Sequence, residues 1–187
     1  EAALNPEFTP LIRGRLLSAK RFNSDQLSSE NLMEREANLT WSESLPISNS
    51  ISKGKWWSKT DTKSEVSVDR EVAESMNLNI GDELLFSAGG SNFNATITSF
   101  REIEWESFSP NFFFILSPSL GKTLPNSYIT SIKIPSDMNI MKKFTQQFPT
   151  ISSVDLGAVI LQIRNTISSA SLAVQYIFLL TLIAGIL

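Results

Sequence analysis

The residues of this 187-residue chain that could carry out covalent chemistry are two serines, each placed three positions before a lysine. Ser50 with Lys53 and Ser119 with Lys122 match the spacing in which a lysine activates a serine nucleophile. Neither pair has a clear helix to lie on or the partner motifs of a serine–lysine hydrolase, and such spacings arise by chance in a serine-rich chain. A membrane-anchored serine–lysine hydrolase is therefore the least favoured of three functional hypotheses.

The composition excludes several other kinds of site. The chain has no histidine and no cysteine, so it can form no Ser-His-Asp triad, thiolate nucleophile, zinc finger or imidazole metal site. It contains no glycine-rich phosphate loop, which leaves ATP hydrolysis to another chain. A net charge of −3 without a basic stripe argues against nucleic-acid binding. We predict no catalytic residue, no cofactor and no metal site.

The middle of the chain has the clearest secondary-structure signals. Residues 65–69 alternate in polarity as a strand does, and Asp69 is placed to cap a short helix that follows. Gly81 is expected in a tight turn and residues 88–92 in a hairpin turn, and residues 93–103 alternate as a second strand. The run 112–116 is apolar throughout, which is typical of a strand buried on both faces.

The flanking segments carry weaker signals. Before the middle region, the patterns predict a strand over 8–19, a helix within 25–39 and a loop with short extended pieces over 46–61. In the final third, they predict a strand over 128–134, a helix over 137–148 and a short strand over 151–156.

The C-terminal segment carries no charge beyond Arg164. As a helix, residues 165–187 would extend about 34 Å, close to the thickness of a bilayer core. We expect residues 157–187 to be one helix whose final part enters a bilayer, and a buried helix is the alternative. The chain starts without an initiator methionine or a signal peptide, which indicates a segment of a longer membrane protein.

Two longer segments resemble one family of membrane proteins. Residues 66–86, VSVDREVAESMNLNIGDELLF, are similar to the strand, helix, L-x-I-G-D turn and strand of the extracytoplasmic domain of FtsX/MacB-like ABC exporter permeases. Residues 98–118, TSFREIEWESFSPNFFFILSP, resemble a more specific run of the YbbP-type branch of that family. Residues 11–16, LIRGRL, are similar to that branch's strand before a large insertion. The resemblance therefore covers nearly the whole chain.

The resemblance implies an α+β fold in four parts. Residues 1–20 would end a first porter-like half, and 21–126 would form an inserted, β-rich, sabre-like subdomain. Residues 127–156 would be the second porter-like β-α-β half, and 157–187 a linker helix with the start of a transmembrane span. The first strand and helix of the porter part are missing from the chain.

The resemblance also implies a function without catalysis in this chain. It is that of the periplasmic domain of an ABC exporter permease in the bacterial inner membrane, which couples ATP-driven movement of transmembrane helices to the handling of a lipid, lipoprotein or hydrophobic compound. The implied partners are a cytoplasmic ABC ATPase on a separate chain, the membrane and a second permease copy. The alternative is an extracytoplasmic interaction module that regulates a partner protein such as a cell-wall hydrolase.

Four candidate contact residues lie in the first third of the chain. Trp56 and Trp57 are flanked by lysines on a polar segment, where two adjacent aromatic side chains cannot both easily face inward, so we expect the pair to be exposed. Arg13 and Arg15 flank a glycine on one strand and share a face. They either pair with local carboxylates or meet a partner protein or an anionic headgroup.

Two further candidates belong to the aromatic run at 105–114. Trp105 and Phe108 are grouped with three consecutive phenylalanines at 112–114. This cluster either forms the core of the inserted part or contributes side chains to an apolar surface for a lipid or hydrophobic substrate.

Overall fold

The computed structural model of the chain describes residues 8–22, 35–58, 61–105, 109–132, 146–154, 174–178, 181–182 and 185. The chain divides into two compact units, Glu1–Lys133 and Ile134–Leu187. The strands of the first unit are β1 (Thr9–Lys20), β2 (Arg35–Trp41), β3 (Asn49–Gly54), β4 (Glu65–Asp69), β5 (Glu83–Ala88), β6 (Ser91–Ile103), β7 (Phe114–Leu116) and β8 (Ser127–Ile129). Its helices are α1 (Arg70–Ser75) and α2 (Pro118–Gly121).

Six of these strands form a sheet that closes on itself. The order is β2-β7-β4-β6-β5-β1, and β1 pairs in turn with β2. The β2–β7 and β4–β6 pairs are parallel, while β1–β2, β1–β5, β4–β7 and β5–β6 are antiparallel. The two remaining strands extend the closed sheet, since β8 pairs with the start of β1 and β3 pairs with the end of β6. The predicted β-rich character is confirmed at this level.

The core lies inside the closed sheet because alternate side chains of each strand point inward. In β5, Leu84, Phe86 and Ala88 are buried while their neighbours are half-buried. Phe86 lies edge-on to Phe114 of β7, with ring centroids 5.4 Å apart. The other buried apolar residues of this core include Ile12, Leu16, Leu39, Val66, Val68, Ala95 and Ile97.

Several local signals in the sequence are confirmed. Asp69 caps α1, and its carboxylate accepts a hydrogen bond from the Val72 N–H at 3.2 Å. The turn before β5 is held by Asp82, whose carboxylate accepts hydrogen bonds from the N–H groups of Asn79 at 2.8 Å and Phe22 at 3.1 Å. Two consecutive glycines, at 89 and 90, have positive φ angles and form the predicted hairpin turn between β5 and β6.

The predicted helix over 25–39 is wrong where the structure describes that segment, because residues from Arg35 onward form β2. Ala37 and Leu39 are buried in this strand while Glu36 and Asn38 are exposed, which is a period of two rather than of 3.6. The parallel partner β7 and the antiparallel partner β1 satisfy the backbone of β2 and override the helical propensity of its residues.

Two other predictions near the second unit are corrected. Within the described part of the strand expected over 128–134, only residues 128–129 are extended, as part of β8, and the three residues of β8 are all exposed. Residues 151–154 form no strand, and the Ile151 N–H instead closes a turn onto the Phe148 carbonyl at 3.1 Å. The short helix α2 was not predicted; Pro118 begins it at a position where proline is tolerated.

In the second unit, residues 146–147, 174–178, 181–182 and 185 are helical. Most of the helices predicted over 137–148 and 157–187 lies outside the described residues. Within the described part of the chain, no helix combines the length and apolar character needed to cross a membrane. The four-part division of the chain stays a prediction.

Candidate functional site

An exposed apolar patch lies where β3 begins and β6 ends. Trp105 is 53% exposed and Phe113 is 46% exposed, and their ring centroids are 5.4 Å apart. The Ser48 carbonyl accepts a hydrogen bond from the Glu104 N–H at 2.9 Å. Because the two strands are antiparallel, Ile47, which precedes Ser48, and Trp105, which follows Glu104, lie at the same end. Ile47 is fully exposed. We refer to Ile47, Trp105 and Phe113 as the apolar patch.

Asn111 fixes the backbone beneath the apolar patch. Its side-chain oxygen accepts hydrogen bonds from the Ser48 hydroxyl and the Asn49 side-chain amide, each at 3.0 Å. Its side-chain amide donates to the Glu104 carbonyl at 3.4 Å. One asparagine therefore joins the start of β3, the end of β6 and the segment that leads to Phe113.

Arg101 is a second support beneath the patch, and the sequence analysis did not identify it. The side chain is fully buried, and its guanidinium donates to the carbonyls of Phe112 at 3.0 Å and Phe113 at 3.1 Å. It also donates to the Ser67 hydroxyl at 3.0 Å and to the side-chain oxygen of Asn49. Burial lowers the pKa of Arg101 to about 10, and nearby Asp69 opposes that shift. Arg101 stays charged at neutral pH and holds the Phe113 backbone in place.

No clear signal for Arg101 was present in the sequence. Ala95 and Ile97 of β6 face the core, but the register with β4 shifts after Ile97, so that Phe100 is the next core residue and Arg101 lies on the opposite face with Ser67. A buried arginine needs several acceptors, because an unpaired buried charge is costly. The acceptors are mostly main-chain carbonyls and neutral side chains, which no sequence pattern identifies.

The aromatic run is divided between the core and the surface. Phe112 and Phe114 are buried, whereas Phe113 between them is exposed. Phe112 and Phe114 thus follow the alternative of a buried core, and Phe113 follows the alternative of an apolar surface. The expectation that 112–116 is buried on both faces is wrong at Phe113. Phe108 lies outside the described residues, so its contact role stays a prediction.

The two adjacent tryptophans differ from the expectation of an exposed pair. Trp57 is only 6% exposed, and its indole N–H donates to the Ser42 carbonyl at 3.0 Å. Trp56 is half-buried, and its N–H donates to the Glu43 carbonyl at 3.3 Å. The ring centroids of the two indoles lie 3.9 Å apart. Through their hydrogen bonds, the two tryptophans connect the segment after β3 with the segment after β2. Trp57 is thus placed for packing, and Trp56 alone keeps partial access to solvent.

Arg13 and Arg15 are both exposed and lie on the same face of β1. In the β1–β2 register, Arg13 lies opposite Asn38 and Arg15 lies opposite Glu36. The ion pairs formed between described residues do not include either arginine. Their role as contacts for a partner or an anionic headgroup stays a prediction.

The serine–lysine spacings have other roles in the fold. The Lys122 ammonium lies 2.7 Å from the Glu43 carboxylate and 5.2 Å from the centroid of the Trp41 ring. The Ser119 hydroxyl donates to the Lys63 carbonyl at 2.7 Å rather than to Lys122. Ser50 and Lys53 lie on β3, an extended strand, and not on a helix. Among the described residues there is also no cluster of three or more acidic side chains that could hold a metal ion.

The comparisons with known proteins bear on the resemblance seen in residues 98–118. No family model matches the chain. Over 188 aligned positions, which cover 100% of this chain, it is 33% identical to the "Uncharacterized ABC transporter permease YbbP" of Escherichia coli (strain K12). The chain is therefore similar, along its whole length, to one segment of an ABC transporter permease. It spans about a quarter, 23%, of the length of that permease, so it corresponds to one segment of such a protein.

The relation to the permeases confirms the resemblance and connects the chain with membrane transport proteins. The crystal structure of "a domain of a putative Permease protein" from Porphyromonas gingivalis aligns with 78% of this chain, and the alignment covers 65% of that domain. The TM-score of that alignment is 0.40, and the sequence identity is 10%.

Proposed function

We propose that the chain is the extracytoplasmic domain of an ABC exporter permease in a bacterial inner membrane. In this proposal it couples ATP-driven movement of the transmembrane helices to the handling of a lipid, lipoprotein or hydrophobic compound outside the membrane. The observation that carries the proposal is the 33% identity to an ABC transporter permease along the entire chain. The ATPase is a separate cytoplasmic chain, and a second permease copy completes the transporter.

The apolar patch is the surface that we propose for contact with the substrate or with the protein that receives it. Clustered exposed aromatic and aliphatic side chains mark interaction sites more often than scattered ones do. Arg101 donates a half-buried hydrogen bond to the Phe113 carbonyl, and Asn111 donates an exposed one to the carbonyl of Glu104, the residue before Trp105. A rigid base lowers the entropic cost of binding, because little has to be ordered when the ligand arrives.

The other predicted contacts belong to the same proposal. Arg13, Arg15 and Trp56 have exposed or partly exposed side chains in the closed-sheet unit, and Phe108 lies in sequence between Trp105 and Phe113. We propose that residues 21–126 form the inserted, sabre-like part, and that residues 1–20 and 127–156 belong to the porter-like halves. Residues 157–187 would then lead into the membrane.

Reconstitution of the full-length permease with its ATPase tests this function. The double variant Trp105→Ala/Phe113→Ala is compared with wild type and with Ile129→Ala, which removes an exposed apolar side chain on β8 instead. We expect the patch variant to retain basal ATP hydrolysis but to lose most of the export of a hydrophobic fluorescent compound from proteoliposomes. Equal export by all three proteins would refute a role of the patch in transport.

The second candidate function is regulation of a partner protein, and the exposed patch is the observation that favours it. A patch that binds a cell-wall hydrolase would stimulate that hydrolase in the presence of ATP without moving any compound across the bilayer. Hydrolase activation by wild type but not by the patch variant, with no export by either, would select this candidate over the first.

A further inference from the structure

A groove with a volume of about 740 Å³ lies between β3 and α1. Four consecutive residues of β3, from Ser50 to Lys53, line one side of it. Successive side chains of a strand point to opposite faces of the sheet. Four residues in a row can therefore line a single groove only where the groove follows the edge of the strand.

No strand of the described residues neighbours that edge of β3. Among the described strands, β3 pairs with β6 alone. The Ser48 carbonyl accepts from the Glu104 N–H, and the backbone groups of an antiparallel strand point alternately toward and away from the partner. The N–H and C=O of Ile51, three residues further along, therefore point away from β6. An unpaired strand edge is a template on which another extended chain forms main-chain hydrogen bonds.

The irregularity of β3 limits the length of what can bind. The register with β6 shifts between Ile51 and Lys53, which is a bulge that interrupts the regular edge. Glycine at position 54 then ends the strand with a φ of +83°. The regular part of the edge is centred on Ile51 and accommodates a short extended segment.

The charges around the groove differ between its two ends. Near the start of β3, the Arg70 guanidinium lies 3.2 Å from Glu102 and 4.0 Å from Glu74, so two carboxylates face one cation. Near the end of β3, Lys53 is exposed and lines the groove. An extended ligand with a basic side chain at one end and an acidic side chain about three residues away would complement both ends.

We propose that the free edge of β3 binds a short extended segment of another polypeptide, which adds to β3 as a further strand. The occupant carries a basic side chain beside Glu74 and Glu102 and an acidic side chain beside Lys53. This site is separate from the apolar patch, and it does not depend on the direction or the substrate of transport.

The experiment uses the 187-residue chain and a phage-displayed library of random octapeptides as the probe. Enriched peptides are synthesised with a fluorophore, and their binding is measured by anisotropy. Ile51→Pro removes the outward N–H without removing a hydrogen bond to β6, whereas the matched control Ile51→Val keeps that N–H. We expect at least about tenfold weaker binding to Ile51→Pro and an unchanged Kd for Ile51→Val.

Two further measurements keep the test decisive if Ile51→Pro lowers the thermal stability of the fold. Saturating peptide should slow hydrogen exchange of the Ile51 amide by about tenfold or more, since that amide becomes a strand donor. Lys53→Glu should weaken the binding of peptides that carry an acidic residue at this end. It should strengthen the binding of peptides that carry a basic residue there instead.

Three results would overturn the proposal. The first is that the library yields no enriched peptide. The second is an unchanged Kd for a natively folded Ile51→Pro variant, and the third is that saturating octapeptide does not slow hydrogen exchange of the Ile51 amide. A dimer that sedimentation detects in the wild type but not in Ile51→Pro would assign the edge to a second copy of the chain, which also contradicts a peptide partner.

Discussion

At the scale of single residues, Arg101 connects more segments of the closed sheet than any sequence motif indicates. Its guanidinium joins β6 to β3, β4 and the segment before β7 by hydrogen bonds to neutral oxygens. Burying a cation is costly unless its donors are satisfied, and hydrogen bonds to a charged group are stronger than neutral ones. The arrangement therefore depends on the complete set of acceptors.

Replacing Arg101 should destabilise the fold strongly. Arg101→Met keeps a long side chain but removes a donor from the Phe112 and Phe113 carbonyls, of which the Phe113 carbonyl keeps the Asp69 N–H. We expect a loss of about 3 kcal/mol in the free energy of unfolding. Arg70→Met, which removes two exposed ion pairs, should cost less than about 1 kcal/mol. Urea denaturation followed by circular dichroism measures both. Equal losses for the two variants would show that Arg101 has no special structural role.

Glu65 should make stability depend on pH. Burial raises the pKa of its carboxyl above the ordinary 4.5, with Asp61 adding to the shift and Lys63 opposing it. One of its oxygens is buried without a hydrogen-bond partner in the described part of the chain. The folded state therefore binds the proton more tightly than the unfolded state, so this group's contribution to stability falls as the pH rises through its folded pKa.

The variant Glu65→Gln tests this dependence, since it removes the charge and keeps the shape. We expect a higher urea midpoint than wild type at pH 7 and no gain well below pH 4.5, where the wild-type carboxyl is protonated in both states. Glu36→Gln, at an exposed position on β2, serves as the comparison for a general loss of one negative charge. A gain for Glu65→Gln that is the same at both pH values would contradict the assignment.

At the scale of secondary-structure elements, the sequence predicted the strands whose polarity alternates and the turns with clear capping residues. Residues 65–69, the Asp69 cap and the hairpin at 89–90 fall into this group. The strand β2 escaped prediction because its pairing with β7 is parallel and distant in sequence. The division of Phe112, Phe113 and Phe114 between core and surface was not predicted either, because three consecutive phenylalanines show no alternation of polarity.

The packing of β1 against its two neighbours depends on Gly14. A Cβ at this position would lie 2.9 Å from the Ser87 carbonyl oxygen, 3.1 Å from a methyl group of Leu39 and 3.3 Å from Ala88. The glycine between Arg13 and Arg15 is thus required by close approach of the strands, and the motif has a structural reason besides any contact role.

Gly14→Val should therefore lower the free energy of unfolding by about 2 kcal/mol, because overpacking forces the backbone of β1 away from β5. Arg13→Val places the same side chain at the neighbouring exposed position and should change stability by less than about 0.5 kcal/mol. Thermal unfolding followed by circular dichroism compares the two. A Gly14→Val variant as stable as Arg13→Val would show that the sheet opens at this point without cost.

At the scale of the whole molecule, residues 98–118, which carry the resemblance to ABC permeases, combine buried and surface positions. Arg101, Phe112 and Phe114 are core residues, while Trp105 and Phe113 lie at the surface. The resemblance could be seen in this run, but the apolar patch could not. Its third member, Ile47, precedes β3, which lies in the segment 46–61 predicted as a loop with short extended pieces, and no pattern in the sequence places that segment beside Trp105.

The central claim is that this segment lies outside the cytoplasm in an ABC permease, and site-directed labelling tests it most directly. The chain contains no cysteine, so Ile47→Cys in the full-length permease, made free of other cysteines, introduces one thiol at a fully exposed position. We predict that a membrane-impermeant maleimide labels this thiol in cells whose outer membrane alone has been permeabilised. Labelling only after the inner membrane is disrupted would place the segment in the cytoplasm and contradict the account.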